Sequence, residues 1–110
     1  MTKTLQGTIS AEGHAIGNFP TDQGHIVAHV YQLVKVALRF EKTPATLEYE
    51  DIADLKGEFK IDEGSVIGPK ELRLSLTSES GKKAKITAKF ESETMRLPPI
   101  GTVSFENVEE

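Results

Sequence analysis

The chain has 110 residues, 37% of them apolar and 27% charged, with a net charge of −4. It reads as one soluble globular domain over 1–110, large enough to bury a core and without the basic excess that a phosphate-binding surface shows. The absence of cysteine excludes disulfide frameworks, Cys-ligated zinc, iron–sulfur clusters and thiol nucleophiles together.

In chain order, the opening "MTKTLQGTIS" has no apolar core of the kind a secretory signal needs. No window approaches roughly 18 consecutive apolar residues, the length of a membrane span. Lys35 and Arg39 interrupt the best run. The expected setting is cytoplasmic or virion-associated, with no membrane partner. Gly and Pro punctuate the chain often, which favours short strands between turns.

Residues 3–13 alternate, with Leu5, Gly7, Ile9 and Ala11 on one side and Thr4, Gln6, Thr8 and Ser10 on the other. This predicts a strand, a turn at Glu12-Gly13 and a return through "HAIGNF".

The next segment, "GHIVAHVYQLVKVALRFEKTP", admits two periods. His25, His29, Gln32, Lys35, Arg39 and Lys42 recur at helical spacing and leave a broad apolar face opposite. Thr21 or Asp22 can cap the start, Arg39 and Lys42 suit the end, and Pro44 stops continuation. These features predict an amphipathic helix over about 22–42. Against it, the even positions 26 to 40 are apolar apart from Gln32, and several residues are β-branched.

"ATLEYEDI" and "LKGEFKIDEG" predict two short acidic strands, with Phe59 and Ile61 on one face. "KELRLSLTSES" and "KKAKITAKFESE" predict a hairpin. Its leucine row (Leu72, Leu74, Leu76) and its Ile86–Ala88–Phe90 row must face one core. The expected register sets Leu72 against Phe90, Leu74 against Ala88 and Leu76 against Ile86, around an odd-numbered turn centred on Gly81. After Pro98-Pro99, "IGTVSFENV" predicts a last strand with Val103 and Phe105 inward. The expected fold is α+β, one helix on an antiparallel sheet of five to seven strands, with an all-β sandwich or barrel as the alternative.

Three surfaces invite a chemical reading. On a helix, His25 and His29 would stack at i and i+4, with His14 and Asp22 as further ligands for a divalent metal. A metalloprotease helix, however, needs Glu after the first His, and Ile26 stands there. Arg73, Lys82, Lys83, Lys85 and Lys89 make a basic two-stranded ribbon able to follow a phosphate backbone. No aromatic side chain on that ribbon face is available to stack on a base, and lysines there also protect a sheet against edge-to-edge pairing. The acidic stretch from Glu48 to Glu63 lacks the calcium-loop spacing. "SGKKAK" lacks the first glycine of a phosphate-binding loop, and no G-x-S-x-G or G-x-G-x-x-G occurs.

No nucleophile, metal or cofactor motif stands in the sequence, so a non-enzyme without a cofactor is expected. The pattern predicts a small non-catalytic binding or assembly module engaging a protein partner or itself as a homo-oligomer. Its alternatives are a metal-binding protein or metal-dependent enzyme built on the histidines, and a nucleic-acid-binding β-ribbon.

Overall fold

A computed structural model describes residues 3–22, 24–32, 38–51, 53, 55–68, 70–90 and 101–109, with backbone alone at 12–14, 32, 38–41 and 109. Eight strands form one antiparallel sheet: β1 (Lys3–Thr21), β2 (Gly24–Gln32), β3 (Leu38–Tyr49), β4 (Gly57–Ile61), β5 (Val66–Ile67), β6 (Glu71–Ser78), β7 (Lys83–Lys89) and β8 (Gly101–Glu109). Their order is β4-β8-β2-β1-β3-β7-β6-β5, and a further β4–β6 pairing closes the sheet into a barrel.

The α+β expectation is thus corrected: no α-helix occurs among the described residues. Where a helix over 22–42 was predicted, Asp22 sits in a turn, residues 24–32 form β2, and residues 38–42 begin β3; residues 33–37 lie outside the described residues. The even-numbered row decides the matter. Ile26, Ala28 and Val30 all point inward and are fully buried, while His25, Val27, His29 and Tyr31 take the outward positions. β2 is also paired along both edges, with β1 and with β8. A helix satisfies its own backbone and would leave both neighbours with unpaired edges, so tertiary pairing outweighs the helical stripe. Pro44, expected to end a helix, lies within β3 opposite Thr8, one residue before the β7 ladder starts at Ala45.

No turn interrupts residues 12–13. β1 runs on for 19 residues, pairing with β3 through Gly13 and with β2 from Ala15. The strand bends enough for its two halves to touch. A side chain on Gly7 would fall on the carbonyl oxygen of Asn18 and within 2.8 Å of the Phe19 Cα. Gly7 is needed for close backbone approach.

The hairpin forms with both rows inward, but two residues out of the expected register. Leu72 faces Ala88, Leu74 faces Ile86 and Leu76 faces Ala84. The loop is Glu79-Ser80-Gly81, closed by Ser78 N–H to the Lys82 carbonyl at 2.9 Å and Gly81 N–H to the Ser78 carbonyl at 3.0 Å. Gly81 has φ +86°, the left-handed conformation that the third residue of such a loop requires. This register sets Glu71 opposite Lys89, whereas the expected one would set Arg73 opposite Lys89 and Glu71 opposite Glu91, pairs of like charge.

Inward rows from all eight strands fill the barrel. Phe19, Phe59, Ile9, Ile26, Leu47, Leu74 and Ile86 are among the fully buried side chains. Phe59 and Phe105 meet edge-to-face with centroids 5.0 Å apart, a favourable aromatic geometry. Phe59, Ile61, Val103 and Phe105 all take the expected inward positions.

Candidate functional site

With the inward rows committed to the core, any function falls to the outer surface. Alternation in β1, β2 and β8 places Ile16, Asn18 and Pro20 outward beside His25, Val27, His29 and Tyr31, which in turn lie beside Thr102, Ser104, Glu106 and Val108. Cross-strand register makes rows: Ile16–His29–Ser104, then Asn18–Val27–Glu106, then Pro20–His25–Val108. Ile16 and Tyr31 are the exposed large hydrophobic residues among those whose side chains are described, at 38% and 50%. Ile16 is paired with His29, two residues from Tyr31 on the same face. His29 and Tyr31 stack with centroids 6.2 Å apart and planes 16° from parallel. His29 Nε2 also lies 4.0 Å from the Glu106 carboxylate. Glu106 is the one carboxylate among these outward positions, and no lysine or arginine stands among them.

The proposed metal ligands do not share the arrangement a helix would give them. Positions four apart on a strand are separated by about 13 Å, so His25 and His29 line up along β2 without forming a clamp. His25 sits across from Pro20 and Val108. Asp22 is exposed at the β1–β2 turn, and His14 lies in β1 with its side chain outside the described residues. Among the described residues, no group of three or more His, Asp or Glu could hold a metal ion.

The basic positions of the hairpin are brought together, and Arg73, Lys83, Lys85 and Lys89 each have acidic or hydroxyl company. Lys89 pairs across with Glu71, and Lys85 lies between Glu48 and Ser75. Arg73 stands 4.0 Å from Glu71, and Lys83 stands 3.9 Å from Asp62. At the tip, the Lys82 backbone N–H donates to Ser78 Oγ at 3.0 Å. The ribbon is therefore a mixed-charge surface, with less pull on phosphate than the sequence pattern of lysines suggests.

Beside the β4–β6 closure lies a half-open cleft of about 1000 Å³, lined in part by Glu58, Lys60, Asp62, Glu63, Thr77 and Lys83. Its central groups are occupied with one another. Thr77 Oγ1 donates to Asp62 Oδ2, and Lys83 Nζ donates to Thr77 Oγ1. Buried Ser65 donates to the Asp62 carbonyl at 2.9 Å and accepts from Ser75 N–H at 3.0 Å. This network fastens the turn after β4 onto β6.

Sequence reasoning singled out neither Ile16 nor Tyr31. The available signal was a break in alternation at Ile16, an aliphatic residue in the even row that otherwise carries Thr4, Gln6, Thr8 and Ser10. Comparison of the chain with protein-family models, curated proteins and solved structures gives no match.

Proposed function

We propose that this chain is a small, water-soluble, non-catalytic binding module that engages a protein partner through the outer face of β1, β2 and β8. One observation carries the reading: the exposed large hydrophobic side chains among the described residues, Ile16 and Tyr31, are neighbours on a face nearly free of charge. Interface centres share that composition, depleted in charge and enriched in tyrosine. A cytoplasmic setting belongs to the same proposal. On the described residues, no helix is long and apolar enough to cross a membrane. The outward positions of β6 and β7 are polar and the inward ones apolar, the reverse of a lipid-facing barrel.

The test is NMR titration of the labelled chain with apolar-centred peptides. The expected result is shift changes concentrated on Ile16, His29 and Tyr31, abolished by Tyr31→Lys without loss of fold. Changes confined to the β4–β6 cleft would move the site elsewhere.

A further inference from the structure

The charge around this face narrows what can sit on it. Its apolar side chains, Ile16, Val27 and Tyr31, stand around His29. At its margins stand Glu106, with a side chain 67% exposed, exposed Glu58 on β4 opposite Ser104, and exposed Asp22 at the β1–β2 turn. Against these carboxylates the described margin offers Lys60, opposite Thr102. The chain as a whole carries −4. A second copy would bring the same charge and the same carboxylates against this margin, an arrangement that like charges oppose.

Size narrows it further. Three strands about 4.8 Å apart, over rows extending about 20 Å, give a footprint near 300 Å². Stable protein pairs bury about 800 Å² on each partner, so this face suits a short segment better than a broad domain surface.

Building on the docking face proposed above, we infer that its occupant is a short protein segment with an apolar centre flanked by lysine or arginine. Arginine suits both elements of the site. One guanidinium can pair with the Glu106 carboxylate, and a second, at the other end of the segment, can lie against the exposed Tyr31 ring two rows away.

The experiment titrates the full labelled chain with two synthetic peptides sharing an Ile-Val centre, one with arginines at both ends and one with glutamates. The arginine-ended peptide is expected to shift Ile16, His29 and Tyr31 and to bind about tenfold more tightly, the gap shrinking as salt is raised. Glu58→Lys with Glu106→Lys, both at exposed positions, should reverse the preference while circular dichroism stays unchanged. Equal binding of both peptides at this face would overturn the charge assignment and leave the docking face standing. Absence of shifts there with either peptide would overturn both. Shifts on this face that grow with protein concentration alone would replace the segment with a second copy.

Discussion

Thr77 donates its hydroxyl proton to Asp62, Oγ1 to Oδ2 at 2.6 Å, while accepting from Lys83 Nζ at 2.7 Å. This contact lies where the barrel closes. The β4–β6 ladder comprises Phe59, Lys60 and Ile61 opposite Ser78, Thr77 and Leu76, a short closure for a sheet of this size. The side-chain network continues the closure beyond the last ladder pair. Asp62→Ala or Thr77→Val should each cost about 1–2 kcal/mol. Their double-mutant cycle should show coupling of about 1 kcal/mol. Urea denaturation of the variants measures both, and additive effects would show that the contact does not fasten the closure.

Gly7 admits no side chain. Gly7→Ala would press a methyl group onto backbone at Asn18 and Phe19, where nothing can rotate aside. The expected loss is about 3 kcal/mol, visible as a lower thermal midpoint.

Phe59 sits at the junction of β4, β6 and β8 with its ring against Phe105. Phe59→Ala should cost about 3–5 kcal/mol through the lost burial and the cavity left behind. Phe59→Leu should recover much of that loss. Equal instability of both variants would point to the aromatic contact in place of volume.

At Gly81, substitution strains the backbone while the surrounding space is open. Gly81→Ala should cost about 1 kcal/mol, with Gly81→Asn milder because asparagine tolerates the left-handed region. Chemical denaturation compares the two.

Ile16→Thr and Tyr31→Ser remove exposed side chains and should change stability by no more than about 0.5 kcal/mol. The same changes should abolish peptide binding at the face. A large stability loss would make these residues part of the packing.

Much of the strand pattern was legible because a side-chain period of two is a local property. The rows of β6, β7 and β8 follow from it directly. Residues 24–32 were harder, since His25 and His29 satisfy both a helical stripe and the outward row of a strand. What separates the two is pairing with β1 and β8, which local sequence does not display. The hairpin register erred by an even number because such a slip keeps both rows inward. Two local cues nevertheless favour the observed register: Gly81 as the left-handed third loop residue, and Glu71 facing Lys89. The candidate face was hidden for the same reason as β2. Ile16 and Tyr31 are 15 positions apart in the chain, and they become neighbours through the β1–β2 ladder.

The position of β8 has a kinetic consequence. It lies between β2 and β4, joining Gly24 to Glu109 and Gly57 to Phe105. Until β8 arrives, β2 and β4 each present an unsatisfied edge, the template on which strands of other molecules add. Pairing over such sequence separations is slow, in the millisecond-to-second range for barrels of non-local topology. The hazard is therefore concentrated before closure. Partially folded chains should aggregate through β2 and β4, and a separate peptide of residues 101–109 supplied during refolding should compete for those edges.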